Sequence, residues 1–228
     1  MTTSDWFLVP QWPAPANIRA LTTLRGPEGD FDLRQVTYRE QLKSLAGLPR
    51  DPAWLNQTHG TRAIPAYSSA EADASFSDTP GEICAVLTAD CLPVLFCEED
   101  GSRIAAIHAG WRGLAAGILQ ETLAKGLFHR GKTLAWLGPA IGPGHFEVGP
   151  EVRETFIDRW PGCQNAFQPS SAGRWMADIY SLAIFQLRAL GVRRVYGGTH
   201  CTVAENRLFF SYRVTKEAGR MATLIWMT

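Results

Sequence analysis

Three short apolar runs that follow one another near the middle of the chain most constrain its fold. Glu82–Thr88, Leu92–Cys97 and Arg103–Ala109 are each short and bounded by turn residues, which is typical of buried strands. The last two runs are joined by Glu98–Gly101, whose sequence Glu-Glu-Asp-Gly favours a tight turn between antiparallel strands. The pattern therefore predicts a β-hairpin preceded by a third buried strand.

Helical and strand-like patterns fill the rest of the chain, and no linker separates two halves. A capping box at Thr37 and Glu40 predicts a helix that ends before Gly47. Further helices are predicted at Leu114–Leu127, Glu151–Trp160 and Asp178–Leu190. Further strands are predicted at Ile18–Leu24, Thr133–Leu137, Val192–Tyr196, Leu208–Tyr212 and Met221–Met227.

The order of these elements indicates the fold class. Strands cluster as well as alternate with helices, which favours an α+β fold with a mixed β-sheet and flanking helices over a doubly wound sheet. The length of 228 residues fits one large domain. We therefore predict a single domain over residues 18–228, preceded by a loosely held N-terminal arm of residues 1–17.

The charge balance excludes two classes of partner. The chain has 22 Lys and Arg against 22 Asp and Glu, and its basic residues form no run. A protein without positive charge lacks the main driving force for binding nucleic acid or an anionic membrane. We therefore expect small-molecule partners, no nucleic acid, no membrane and no obligate protein partner.

The N-terminus and the cysteines indicate the compartment. The first residues lack the basic segment and the unbroken apolar segment of a secretion signal. The longest apolar stretch, Ile83–Cys97, is broken by Asp90 and Pro93 and is shorter than the roughly 18 residues of a membrane span. Five cysteines without a Cys-x-x-Cys pair argue against a disulfide framework. We expect a cytoplasmic protein with reduced thiols.

The hairpin brings a cysteine and a histidine towards each other. If Glu98–Gly101 is a four-residue loop, Cys91 lies directly opposite His108, with Cβ atoms about 4.5–5.5 Å apart on one face. A two-residue Asp100–Gly101 turn shifts the register by two and keeps both on that face, whereas a three-residue loop turns one away. Pro93 cannot donate to the ladder, so an edge position or a bulge is expected there.

Cys91 is interpreted as a metal ligand. The preceding Asp90 disfavours a free thiolate, whereas a bound cation would deprotonate the thiol. Zinc accepts Cys and His, and a catalytic zinc typically has three protein ligands and one open position. The polar loop at residues 56–60 offers His59 as the third ligand beside His108.

Other interpretations of these cysteines and histidines stay open. The ligand separations match no short zinc motif, and single buried cysteines and histidines usually serve packing. Without a metal, Cys91 and His108 would form a nucleophile and its base. Cys201 beside His200 is a weaker second pair of the same kind.

Seven short motifs occur in a fixed order along the chain: Gln57–Gly60 (QTHG), Ala72–Ala74 (ADA), Thr88–Val94 (TADCLPV), His108–Gly113 (HAGWRG), Leu137–Gly142 (LGPAIG), Phe146–Gly149 (FEVG) and Phe209–Arg213 (FFSYR). Together they resemble the YfiH-like laccase-domain family, and the resemblance runs from about Ile18 to the C-terminus. It implies a cysteine-hydrolase-like (CNF/YfiH-like) sandwich with His59, Cys91 and His108 as zinc ligands. The segment after the first predicted strand, Arg25–Leu33, is shorter here than in the family.

The resemblance also implies an activity. Members of this family phosphorolyse adenosine, inosine, guanosine and methylthioadenosine to the base and a sugar 1-phosphate, and they deaminate adenosine. Phosphate needs cationic donors, and deamination needs a carboxylate that carries a proton. The catalytic residues expected on this basis are Cys91, His108 and Asp90, with Asp73 as an alternative carboxylate. The expected substrate- and phosphate-binding residues are Arg25, Gln57, Arg112, Ser211 and Arg213.

Three alternative functions are kept. Some relatives edit peptidoglycan precursors, and a Cys/His/His zinc would also suit hydrolysis of an amide in the cytoplasm. Five histidines without His-x-His pairs do not suffice for a multicopper oxidase, but one copper ion could substitute for zinc and give polyphenol oxidase activity. Eight tryptophans also allow a binding module without catalysis.

Overall fold

Two β-sheets packed face to face form the centre of the molecule, in a computed structural model that describes residues 5–216 and 218–228. The strands are β1 (Phe7–Leu8), β2 (Ile18–Thr23), β3 (Ala63–Pro65), β4 (Ala74–Ser77), β5 (Ile83–Thr88), β6 (Leu92–Glu98), β7 (Ile104–Ala109), β8 (Thr133–Leu137), β9 (Glu147–Val148), β10 (Phe167–Pro169), β11 (Trp175–Ala177), β12 (Arg194–Gly197) and β13 (Met221–Met227). The helices are α1 (Val36–Ala46), α2 (Trp111–Ala116), α3 (Ile118–Lys125), α4 (Pro150–Arg159) and α5 (Ile179–Ala189).

The two central sheets differ in strand direction. The first has the order β1-β2-β13-β5 and is antiparallel throughout. The second has the order β12-β8-β6-β7-β4-β3, with parallel pairs only at its two edges. A small third sheet has the order β10-β11-β9. The mixed sheet expected from the sequence is therefore confirmed.

Apolar side chains divide the molecule into four layers. Val86 and Ile225 of the four-stranded sheet pack against Leu95 and Ile104 of the six-stranded sheet. On the outer face of the smaller sheet lies α1, which buries Leu42. Helices α2 to α5 cover the outer face of the larger sheet. Because each sheet buries both faces, its strands are nearly continuous apolar runs, and the α+β sandwich is confirmed.

The hairpin adopts the tighter of the two registers that keep Cys91 and His108 on one face. In β6 and β7, Pro93 lies opposite His108, which is the register of a two-residue Asp100–Gly101 turn. The four-residue loop was therefore the wrong alternative, because Gly101 takes a left-handed conformation (φ 72°) that closes a tight turn. Cys91 itself lies just before β6.

Pro93 is not at an edge of the sheet, contrary to expectation. Strand β6 lies between β8 and β7, but its ladder with β8 begins only at Val94. The Pro93 carbonyl accepts a hydrogen bond from the Gly138 backbone at 2.9 Å. The proline thus sits where the central strand starts, before a backbone N–H is needed on that side.

Three other predicted elements differ in the structure. Leu208–Tyr212 forms turns instead of a strand, because Phe209 and Phe210 are buried in an irregular segment against Met221. The predicted helix Leu114–Leu127 is divided into α2 and α3 by Gly117, which has φ 99°. Helix α1 starts at Val36 after Gln35, so the capping box at Thr37 is wrong.

The described part of the N-terminal arm contributes β1, which pairs with β2. Residues 1–4 of that arm lie outside the described residues. Within residues 5–216 and 218–228, no helix has both the length and the apolar character needed to cross a bilayer.

Candidate metal centre

Three potential metal ligands from different parts of the chain meet at one end of the sandwich. His59 comes from the loop before β3, Cys91 from the turn between β5 and β6, and His108 from the end of β7. Their ligand atoms all lie within 4.8 Å of one another. The His59 and His108 rings meet edge to face with centroids 4.7 Å apart, and Cys91 Sγ lies 3.7 Å from His59 Nε2. The structure therefore brings together all three predicted ligands.

Asp73, directly before β4, orients both histidines. Its fully buried carboxylate accepts a hydrogen bond of 2.7 Å from His108 Nδ1, which leaves Nε2 of that ring for the centre. The same carboxylate accepts backbone N–H groups of Thr58, His59 and Gly60 at 3.2, 2.9 and 2.7 Å. These bonds hold His59 in a left-handed conformation (φ 61°) that is uncommon outside glycine.

Electrostatics at the centre favour a thiolate. Burial opposes ionisation of Cys91, but hydrogen bonds and charge from His108 and His59 lower the pKa of its thiol to about 6. Burial also raises the pKa of Asp73, yet the His108 hydrogen bond and backbone donors hold that pKa below its usual value. The same juxtaposition suits either a metal ligand or a thiolate paired with an imidazole, so the nucleophile and base alternative remains open.

The donor set fits a zinc ion. Tetrahedral zinc has bonds of about 2.3 Å to sulfur and about 2.0 Å to nitrogen, which separates the two ligand atoms by about 3.5 Å. The distance of 3.7 Å between Cys91 Sγ and His59 Nε2 is close to this value. The carboxylate that holds the Nδ1 of His108 is the usual outer partner of a zinc-bound imidazole. His59, Cys91 and His108 would therefore hold the ion, with one position left for water or substrate.

A cavity of about 650 Å³ opens beside the three ligands. Aromatic side chains line it at Trp111, Phe146 and Tyr212. Arginines line it at Arg34, Arg112, Arg213 and Arg220, whereas Asp90 is the single acidic residue among the described lining residues. A cavity with aromatic faces and an excess of positive charge suits a flat ring together with an anion.

The predicted site residues Gln57, Asp90, Arg112 and Arg213 line this cavity. The Gln57 amide pairs with the Leu87 backbone through bonds of 2.8 and 2.7 Å, so it fixes the wall of the cavity. The Asp90 carboxylate accepts the Thr202 hydroxyl and the Arg213 backbone N–H, both at 2.6 Å. It thereby ties two loops to the turn that carries Cys91.

Arg25 and Ser211, the other two predicted substrate residues, do not line the cavity. Both belong to a separate pocket of about 210 Å³. The Arg25 guanidinium donates to the carbonyls of Gly29 and Asn206 and lies over the Phe210 ring, 5.0 Å from its centroid. The structure gives Arg25 the position of a clamp on a turn.

The second Cys/His pair has a different partner from the one expected. Cys201 Sγ lies 3.4 Å from His145 Nδ1, whereas the Nδ1 of His200 bonds Glu205 at 2.9 Å. All five histidines lie in the described part of the chain, and only His59 and His108 join a third ligand there. The arrangement suits one metal ion and not several copper ions.

Sequence reasoning missed four cavity residues: Arg34, Phe146, Trp111 and Arg220 were not assigned to the site. Trp111 and Phe146 lie within quoted motifs, which was a usable signal. Arg34 and Arg220 carried no local signal, because they are brought together by Asp32 from distant parts of the chain.

Replacing Gly110 by alanine is expected to lower the affinity for zinc by about 10-fold or more while the fold is kept. A Cβ atom at this position would lie 2.9 Å from His59 Cδ2 and 3.1 Å from Cys91 Sγ, so one ligand must move. Titration of zinc against a chromophoric chelator measures the affinity. Gly131→Ala is the control, because nothing lies within 4 Å of its added Cβ, and equal affinities in both variants would contradict the prediction.

Comparison with known proteins agrees with this site and fold. Residues 28–228 match the family described as multi-copper polyphenol oxidoreductase laccase. A protein of Escherichia coli strain K12 named purine nucleoside phosphorylase YfiH is 45% identical, covering 96% of this chain and 98% of its own. A purine nucleoside phosphorylase of Pseudomonas aeruginosa is 44% identical over 97% of this chain and 98% of its own.

Two solved structures share the fold. A Neisseria meningitidis protein superposes with a TM-score of 0.91 at 44% identity, covering 97% of this chain and 98% of that one. YlmD from Geobacillus stearothermophilus has a TM-score of 0.87 at 25% identity, covering 100% and 98%. The resemblance seen in the seven motifs is confirmed: the chain belongs to the laccase-domain family of YfiH-type proteins.

Proposed function

We propose that this chain is a zinc-dependent purine nucleoside phosphorylase. Its substrates would be adenosine, inosine, guanosine or methylthioadenosine together with phosphate, and its products a free base and a sugar 1-phosphate. The observation that carries the proposal is the opening of the His59–Cys91–His108 group onto a cavity with aromatic faces and four arginines. The names of the curated relatives support the same reaction class.

The residues of the chain have distinct parts in this proposal. A zinc ion held by His59, Cys91 and His108 would supply Lewis acidity and lower the pKa of a bound water. Asp73 keeps the histidines in position through its hydrogen bonds. The rings at Trp111 and the other aromatic positions offer faces on which a purine stacks.

Deamination of adenosine is proposed as a second activity of the same centre. It needs a carboxylate that carries a proton, and Asp90 is the acidic residue among the described residues that line the cavity. Both Asp90 oxygens already accept hydrogen bonds, from Thr202 and from Arg213. Proton transfer through Asp90 would therefore require one of these bonds to open.

The family description points to another chemistry, oxidation of polyphenols by several copper ions. The described residues supply one group of three possible metal ligands, which favours a single ion. Copper in that site is the substitution expected from its nitrogen and sulfur donors. The proposal keeps zinc as the native metal, the cytoplasm as the compartment, and nucleoside and phosphate as the partners.

The proposal is tested by chromatography of products after the zinc-loaded protein is incubated with adenosine. We expect adenine only when phosphate is present, and inosine in its absence. Unchanged adenosine under both conditions would contradict the proposal. Release of an amino acid from a peptidoglycan precursor, or oxidation of a catechol by the copper-loaded protein alone, would then identify one of the alternative activities.

A further inference from the structure

Two arginines and one hydroxyl meet at the wall of the cavity formed by the four-stranded sheet. Thr88 is the last residue of β5 and lies opposite Met221, the first residue of β13. Arg220 directly precedes Met221, and Arg34 follows the segment that is shorter here than in the family. Thr88, Arg34 and Arg220 all line the cavity that also contains Cys91.

One carboxylate holds the two arginines together. Asp32 is only 7% exposed and accepts Nε and Nη2 of Arg34 at 2.9 and 2.7 Å. Its other oxygen accepts the Arg220 backbone N–H at 2.8 Å. Asp32 therefore balances one of two positive charges at this wall. Burial and the nearby Arg34 charge lower the pKa of Arg220, so the pair repels itself and gains from a bound anion.

The Thr88 hydroxyl lacks a partner within the described chain. Thr88 is 1% exposed, and its Oγ1 makes no hydrogen bond there. On the same sheet, by contrast, the hydroxyls of Thr22 and Thr223 bond each other at 2.8 Å. A buried hydroxyl without a partner is costly, and its free energy falls when an occupant of the cavity bonds it.

The other two cavity arginines are engaged elsewhere. The Arg112 guanidinium lies over its neighbouring Trp111 ring, 4.5 Å from the centroid. The Arg213 side chain donates to the carbonyls of His145 and Glu147 at 3.3–3.4 Å. Neither is accompanied by an unpaired buried hydroxyl.

We infer that Arg34, Arg220 and Thr88 form the phosphate subsite of this cavity, an inference that rests on the proposed function. Bound there, a phosphate oxygen attacks C1′ of the nucleoside, and the bond between C1′ and N9 breaks. The electron pair of that bond stays on N9, which takes the proton that the dihydrogen phosphate ion releases. The products are the neutral base and the sugar 1-phosphate. The two guanidiniums and the hydroxyl hold the phosphate oxygens during this exchange.

Calorimetric titration of inorganic phosphate into the zinc-loaded protein tests the subsite. We expect Thr88→Val to weaken phosphate binding about 10-fold, because one hydrogen bond to a charged group is lost. The thermal unfolding temperature should stay unchanged, since no bond within the described chain is broken. Arg220→Ala should weaken binding at least about 30-fold. In kinetics, both variants should raise KM for phosphate with little change in KM for the nucleoside.

Matched controls are Ser75→Ala, a buried hydroxyl that does not line the cavity, and Arg188→Ala, an exposed arginine of α5. Both should bind phosphate as the unaltered chain does. Unchanged phosphate affinity in Thr88→Val and Arg220→Ala would overturn the subsite, and so would loss of binding in Arg112→Ala alone. Binding of adenosine 5′-monophosphate without binding of inorganic phosphate would also overturn it.

The subsite and the proposed function fail separately. If no nucleoside is cleaved but phosphate binding is still lost in Thr88→Val and Arg220→Ala, the subsite stands and the phosphorylase proposal falls. If cleavage depends on phosphate and both variants keep the original KM for phosphate, the phosphorylase stands and the subsite is overturned.

Discussion

Replacing Cys91 by alanine is expected to remove bound zinc and nucleoside cleavage together. Cys91 supplies the one thiolate of the group, and two imidazoles alone leave a site with half of the usual zinc ligands. We expect bound zinc to fall from about one ion per chain to near zero after dialysis, and turnover to fall at least about 100-fold, beyond the loss typical of outer partners. Elemental analysis and turnover are measured on the same samples.

The matched control for this change is Cys201→Ser. Cys201 also lies beside a histidine, His145, but it does not line the cavity. This variant should keep both zinc and turnover. Full turnover of Cys91→Ala without metal would contradict a metal mechanism. Retained zinc with lost turnover would instead favour Cys91 as a nucleophile.

The central strands could be predicted because their pattern is local. The predicted runs at 82–88, 92–97 and 103–109 agree within one residue with β5, β6 and β7. Leu208–Tyr212 shows the limit of that reasoning. Its phenylalanines are buried by residues distant in sequence, so an apolar run there indicates burial and not extended pairing. The register of the hairpin depended on one backbone conformation, at Gly101, which composition does not specify.

The candidate site divides in a similar way. The hairpin places Cys91 and His108 near each other on local grounds, whereas His59 needed its motif. Arg34 and Arg220 could not be predicted, because their meeting depends on a carboxylate that bonds residues almost the full chain length apart. Asp73 was considered only as a proton carrier. The structure gives it a different part, as the group that fixes two ligands.

Replacing Asp73 by asparagine is therefore expected to weaken the centre and the fold at once. An amide keeps one acceptor oxygen but turns N–H donors towards the backbone donors of His59 and Gly60, and it weakens the hold on His108. We expect zinc affinity to fall about 10- to 100-fold, as for other outer partners of zinc-bound imidazoles. Urea denaturation of the metal-free protein should show a loss of about 2–4 kcal/mol in the free energy of unfolding.

Asp178→Asn separates these two effects. Asp178 also accepts two backbone N–H groups, from Tyr180 and Ser181 at the start of α5, but it does not line the cavity. Its replacement should cost about 1 kcal/mol of stability, as for a helix cap, with zinc affinity unchanged. If Asp73→Asn loses stability but binds zinc as tightly as Asp178→Asn does, the carboxylate supports the fold alone. The orientation of His59 and His108 would then have to come from the packing around them.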